Sequence, residues 1–361
     1  MKNSHLFDKI YAAMLGGAIG DAMGAPIEGW DFHNIEATFG HLTTFAPFKY
    51  EPDYHGAFEA KLGIYTDDTR LKHVLCDAII ARGGIPRKGD FIKACNDYYY
   101  SAKTNLQKGF IEEYMLSGVY GEEMLIFGGQ PTNGAIMMNS PLGLICPCYP
   151  ETAFKAAYDL AYITDGYAKY SAAMCVAAIA AAMSPQATVD SIIDEMFKAT
   201  NAHRISGELT RKWKWYEHVY LVNDSLVNTA LEIAARCQDV FEVREEYYQK
   251  LLVSPLGSEA AQSLAVALGM FYAAKGDFQQ AVIGAVNYGR DNDSYASIAG
   301  ALAGAYHGMQ AIPNDWIATV QATNPEPDMR QLSMELTKIA MRRFENEQAI
   351  VKQVEELLTE K

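Results

Sequence analysis

Two stretches, "LFDKIYAAMLGGAIGDAMG" and "SYASIAGALAGAYHG", repeat small residues at three-to-four spacing: Gly16, Gly17, Gly20 and Gly24 in one, Ala299, Gly300, Ala303 and Gly304 in the other. A helix surfaced this way has no bulky side chains to hold a neighbour off, so two backbones can approach closely. The pattern suits a compact multi-helix core more than an extended solenoid. No period of about 20 to 50 residues recurs, which also argues against a repeat array.

Helical spacing continues along the rest of the chain. "DDTRLKHVLCDAIIARGG", "ETAFKAAYDLAYI", "YAKYSAAMCVAAIAAAM", "SLVNTALEIAARCQ" and "SEAAQSLAVALGMFYAAKG" carry apolar or small residues at this period, and most helical patterns stop at Gly or Pro. No run of alternating β-branched residues is long enough for a sheet. The expected fold class is all-α. A single domain over 1–361 is expected, because candidate linkers such as "PRKGD" and "NPEPD" are short and composition does not shift across them. From about 328 to 361 an apolar stripe of Leu332, Leu336, Ile339, Phe344, Ile350, Val351, Val354 and Leu357 runs along a charged helix. Packing back on the body is the expected role of that stripe, and a homodimer contact is the sharper alternative.

Charge narrows the partners. Thirty basic against 44 acidic residues give a net charge of −14 with no Lys/Arg-rich run, so neither nucleic acid nor an anionic membrane is an expected direct partner. An anionic small molecule remains open, provided a cation or a set of backbone amides faces it. The six cysteines include one close pair, in "CPC", and no second pair to complete a zinc site; they read as reduced thiols of a cytoplasmic protein. The amino terminus lacks the pattern of a signal peptide. The most apolar segment, Tyr170 to Met183, is too short and alanine-rich to span a bilayer.

Four segments carry chemistry. In "YTDDTRL", Asp67 and Asp68 follow Thr66 at a helix start, an arrangement that capping alone would explain. "NYGRDNDSYASIAGALAG" repeats it with Asp291, Asp293 and Ser294. Should the two helix starts converge, four carboxylates would repel one another unless protonated or neutralised by cations. An all-oxygen ligand set selects Mg²⁺, Mn²⁺ or Ca²⁺ over zinc or copper, and four carboxylates carry charge enough for two divalent ions. "GGAIGDAMGAPIEGW" adds Asp21 and Glu28 without a strand before it or a Gly-Lys-Ser/Thr after it, so it fits neither a Rossmann turn nor a P-loop. Close packing explains most of its glycines but not Glu28, which follows a proline. In "FGGQPTNGAIMMNSPLG" a Gly/Pro/Asn loop runs into a short helix near Asn133, where free amides could hold a phosphate.

Taken in chain order, "GGAIGDAMGAPIEGW", "TDDT", "NGAIMMNSPLG", "AYDLAYITDGYAKYSAAM" and "GRDNDSYASIAGALAGAYHG" make the chain from about Ile10 to Gly308 resemble the ADP-ribosylglycohydrolase family. The resemblance implies a compact all-helical orthogonal bundle. It also implies a two-metal centre, usually magnesium or manganese, that cleaves the glycosidic bond between ADP-ribose and a protein side chain or related acceptor. Residue by residue it implies that Thr66, Asp67 and Asp68 form one half of the metal site and Asp291, Asp293 and Ser294 the other. Glu28 falls on the family's acidic residue near the metals, and Gly129, Gln130, Thr132, Asn133 and Gly134 on its diphosphate loop. Departures concern the nucleotide end: Asp165 stands where the family usually has histidine, and Asn139 where arginine is common. Ser294 replaces a frequent threonine and keeps the hydroxyl. The changes at Asp165 and Asn139 remove cationic or stacking contacts to the adenosine end, so the expected substrate is an ADP-ribosyl group or a different, related ribosyl group. Two other readings are a non-catalytic ADP-ribose- or nucleotide-binding or structural relative, and a two-metal phosphohydrolase.

Overall fold

Ser4 opens the first helix by accepting the amide of Phe7 at 3.1 Å, and α1 then runs from His5 to Gly24 with almost every side chain after the first turn buried. The structure is a computed structural model describing residues 4–48, 60–101, 131–161, 164, 166–204 and 217–358. After α1 come α2 (Phe32–Phe39), α3 (Asp67–Arg82) and α4 (Lys88–Ser101). The middle of the chain forms α5 (Gly134–Met138), α6 (Ser140–Leu144), α7 (Pro150–Leu160), α8 (Ala168–Ala182) and α9 (Val189–Ala202). The remainder holds α10 (Glu217–Ala234), α11 (Arg244–Lys250), α12 (Ala260–Ala273), α13 (Phe278–Tyr288), α14 (Asn292–His307), α15 (Asn314–Thr323) and α16 (Met329–Leu358). Among the described residues there is no strand, only isolated bridges such as Asp31 with Gly289 and Thr132 with Glu259.

The small-residue faces singled out in the sequence meet each other. Gly16 lies against the Gly300 carbonyl, Gly20 against that of Ala296, and Gly304 against that of Ala12; a methyl group at any of the three glycines would overlap backbone. Four residues forward on α1 correspond to four back on α14, so the two helices run antiparallel with their backbones in contact. The direction of this seam has a consequence for the site, because it places the start of α14 beside the end of α1. Gly24 accordingly abuts Asp293, where a Cβ would stand 2.5 Å from the Asp293 Cα and N.

α8 and α12 are alanine-rich and buried on nearly all sides, as helices enclosed by other helices must be. The carboxyl end of α8 is met by a buried cation, Lys9, whose Nζ donates to the Ala182 carbonyl at 2.8 Å and complements the negative end of the helix. The segment His5–Ile27 is long and apolar enough to cross a membrane, yet 94% of its apolar window is buried inside the protein, as in a core helix. All six cysteines are free thiols.

The carboxyl-terminal stripe behaves differently in its two halves. Leu336, Ile339 and Ala340 of α16 are buried on the body, as expected. Packing does not extend to Phe344, Ile350, Val351, Val354 and Leu357, all of which are exposed, because the helix continues past the elements it packs against.

Candidate metal centre

Asp21, on the last turn of α1, is fully buried and organises the start of α3. One oxygen accepts from the Thr66 amide and the Thr66 Oγ1, both at 2.8 Å; the other accepts from the Thr69 amide at 3.0 Å and the Thr69 Oγ1 at 2.6 Å. Thr66 is the N-cap residue of α3, but its side chain makes no capping bond. A carboxylate from another helix satisfies those amino-terminal donors instead, favoured by the positive end of the helix dipole. The sequence drew attention to Asp21 without giving it a role. Its signal was a carboxylate placed among glycines on an apolar helix.

The start of α14 comes to the same place. Thr66 Oγ1 lies 3.4 Å from Asp293 Oδ2, and Ser294 Oγ donates to Asp68 Oδ2 at 3.1 Å. The two acidic helix starts, over 220 residues apart in the chain, are therefore in hydrogen-bond contact. Asp68 Oδ1 is buried and has no hydrogen-bond donor.

Glu28 is brought in by backbone. It ends a short 3₁₀ turn over Ala25–Ile27, and the next residue, Gly29, has a positive φ of 80°. The Gly29 amide donates to the Arg290 carbonyl at 2.6 Å, and the Arg290 amide donates back to the Trp30 carbonyl at 2.5 Å. This exchange fixes the loop after α1 against the loop before α14. Carboxylate oxygens of Glu28, Asp291 and Asp293 can consequently all lie within 4.8 Å of one another, a grouping able to hold a metal ion. A buried, donorless oxygen on Asp68 beside this all-oxygen set suits a hard divalent cation.

Electrostatics point the same way. Burial, reinforced by Asp21 and then Asp291, pushes Asp67 up to about 6. Burial raises Asp68 well above the carboxylate range, with Asp21 and Asp67 adding to it. Asp293 is likewise raised well above that range, by burial and then by Glu28 and Asp291. Burial also raises Asp291, against hydrogen bonds from Asn133 and Ser294. Lys72, one turn along α3, is a buried cation whose Nζ donates to Ser297 Oγ and which opposes the rise at Asp68 and Asp21. Its own burial holds the ammonium below the ordinary lysine range.

On the substrate side, the Asn133 side chain donates to Asp291 and, at 3.0 Å, to Ser263 Oγ. Its backbone amide donates to the Ser258 carbonyl at 2.8 Å. The Asn133 amide itself is thus already used and its side chain positions Asp291, so any free amide at this helix start belongs to a neighbouring residue. Thr132 Oγ1 is buried without a partner, and Gly134 begins the five-residue α5. Asn139 is fully buried with neither side-chain amide atom partnered. Gly129, Gln130 and Asp165 lie outside the described residues. A cleft of about 280 Å³ opens at the acidic cluster, lined by Glu28, Gly29, Pro255, Gly257, Ser258, Arg290 and Asp291. Arg290 holds one wall of it, donating through Nη2 to the carbonyls of Ser254 at 3.2 Å and Pro255 at 3.0 Å.

The chain is similar to known proteins over most of its length. The chain is 25% identical over 340 residues to an uncharacterised protein of Archaeoglobus fulgidus, with 93% of this chain and 98% of that one covered. It is 21% identical over 356 residues to ADP-ribosylhydrolase ARH3 of Danio rerio, covering 90% and 89%. A solved structure described as an ADP-ribosylglycohydrolase-related protein complex has a similar fold, with a TM-score of 0.60 and 21% identity over 93% of this chain and 99% of its own. A family model described as ADP-ribosylglycohydrolase matches residues 2–349, almost the full length, and with the all-helical fold and the paired acidic helix starts it places this chain in the ADP-ribosylglycohydrolase family.

Proposed function

We propose that this chain is a divalent-metal-dependent hydrolase that cleaves the glycosidic bond joining an ADP-ribosyl, or related ribosyl, group to its acceptor. The observation that carries the reading is the meeting of the α3 and α14 starts through Thr66 with Asp293 and Ser294 with Asp68. Departure of a group from the ribose anomeric carbon builds oxocarbenium character, so the site needs a held sugar, a nearby carboxylate and a water. Two Mg²⁺ or Mn²⁺ ions, held by Thr66, Asp67, Asp68, Asp291, Asp293 and Ser294, would supply Lewis acidity and a template for the vicinal ribose hydroxyls.

The chain's own groups divide the remaining work. Glu28 lines the cleft beside Asp291, where its carboxylate can orient the substrate or accept a proton from water. Asn133 and Asp21 keep the acidic helix starts in place. Arg290 brings a positive charge to the same cleft, which favours an anionic substrate on an acidic protein.

Incubation with Mg²⁺ or Mn²⁺ and ADP-ribosylated arginine, ADP-ribosylated serine or free ADP-ribose tests the reading. Release of ADP-ribose from a conjugate is the expected product. Release of inorganic phosphate would make the protein a phosphohydrolase, and binding without turnover would make it a non-catalytic relative. Glu28→Gln is expected to lower turnover by roughly 10²-fold or more while stoichiometric metal is retained on elemental analysis. Because the Glu28 carboxylate can reach Asp291 and Asp293, loss of metal from that variant would instead make Glu28 a ligand.

A further inference from the structure

We infer that the distal half of α16 is a two-fold interface, pairing antiparallel with α16 of a second copy of this chain. Phe344, Ile350, Val351, Val354, Leu357 and Leu358 are 48 to 84% exposed on that half. Phe344, Val351 and Leu358 recur every seven residues, Val354 falls between the last two, and Ile350 and Leu357 flank the row. This is the seam of a coiled coil, whose positions repeat every 3.5 residues. Most of it, from Ile350 onward, lies beyond residue 349, where the match to the family ends. It is therefore separate from the site shared with the family.

Two features select a second copy as the occupant. The first is area: at about 60–120 Å² for a fully exposed aliphatic side chain, these partly exposed rows offer about 700 Å² of apolar surface from two copies. At the usual apolar share of about 60%, that corresponds to roughly 1,200 Å² in total, above the roughly 1,000 Å² a specific interface needs. The second is shape. An apolar groove of about 680 Å³ lies at the base of the projecting half, lined by Leu6, Pro147, Met183, Met341 and Phe344 among others. Phe344 and Leu358 are about 21 Å apart along the helix, so a two-fold axis near Val351 sets Leu358 of one copy beside Phe344 of the other. The helix end of each copy then reaches the groove of its partner.

The groove also sets the direction: an antiparallel pair carries the carboxyl-terminal end of each helix to the groove of its partner, whereas a parallel pair sets Leu358 beside Leu358 and leaves both grooves uncovered.

Sedimentation equilibrium of the full chain over about 1–100 μM reads the proposal directly. The expected result is twice the 39.9 kDa chain mass for the wild type and a single chain mass for the Val351→Glu/Leu357→Glu variant, with the melting curve of the body unchanged. In a Cys148→Ser background, which removes the exposed native thiol, Val351→Cys is expected to give a covalent dimer on mild oxidation and Leu358→Cys a monomer. A wild type that stays single at 100 μM overturns the proposal, as does one that remains monomeric and co-sediments with phosphatidylcholine vesicles. A dimer unaffected by the double substitution overturns it too. Covalent dimers from Leu358→Cys would overturn the antiparallel register.

Discussion

Chelation of divalent ions is expected to lower the melting temperature, and by more at pH 8 than at pH 5. In the folded chain Asp67 is raised to about 6, chiefly by burial and by Asp21, and Asp68, Asp291 and Asp293 are raised as well. A carboxylic acid whose folded pKa exceeds its unfolded value binds its proton more tightly when folded. Its contribution is thus fully present below the unfolded value near 3.8 and is lost as pH rises through the folded one. For Asp67 alone, a rise from 3.8 to about 6 corresponds to about 3 kcal/mol at pH 8. In a chain of 361 residues that is a fall of about 4 °C in Tm. Lys72, Lys9 and His73, all held low by burial, act in the opposite sense, but they are present with and without chelator and drop out of the comparison at each pH. Added Mn²⁺ should restore most of the loss at pH 8 and change little at pH 5, where the protons compete with the metal. Asp293→Asn should melt higher than the wild type in chelator at pH 8 and gain nothing from Mn²⁺. Melting curves with and without chelator at the two pH values check this. A fall on chelation no larger at pH 8 than at pH 5 would mean that the carboxylates are compensated without ions.

The second large effect comes from a single methyl group. Gly24→Ala is expected to abolish stoichiometric metal retention and to cost at least about 10²-fold in turnover, because its Cβ would stand 2.5 Å from the Asp293 backbone and displace the first turn of α14. Overpacking of this kind costs about 1–3 kcal/mol in stability as well. Gly89→Ala is the matched control. Gly89 lies in the first turn of α4 with nothing within 4 Å of its added Cβ, so the change should be neutral or stabilise by up to about 1 kcal/mol. Elemental analysis and melting curves of the two variants side by side make the comparison. Full metal retention in Gly24→Ala would show that α14 can shift without disturbing the cluster.

Much of the fold was legible because it rests on local repetition. Small residues at helical spacing on α1 and α14 announced close-packed helices, and those faces do meet, Gly16 against Gly300 and Gly20 against Ala296. The carboxyl-terminal helix shows the limit. Its stripe includes both Leu336 and Val354, yet one is buried and the other exposed. An apolar period shows that a face needs a partner and leaves open how far the body extends beneath it.

The candidate site divides along the same line. Residue types alone set the chemistry: "TDDT" and "RDNDS" are oxygen donors at helix starts, and no folding of them could yield a thiolate or imidazole ligand set. Three-dimensional packing decided that Thr66 meets Asp293, that Asp21 rather than Thr66 satisfies the α3 amides, and that Asn133 faces Asp291. The reason is range. Helix formation and donor chemistry are properties of a few neighbouring residues, whereas the meeting of two helix starts depends on the antiparallel α1–α14 seam, whose closeness is set jointly by glycines almost 300 positions apart.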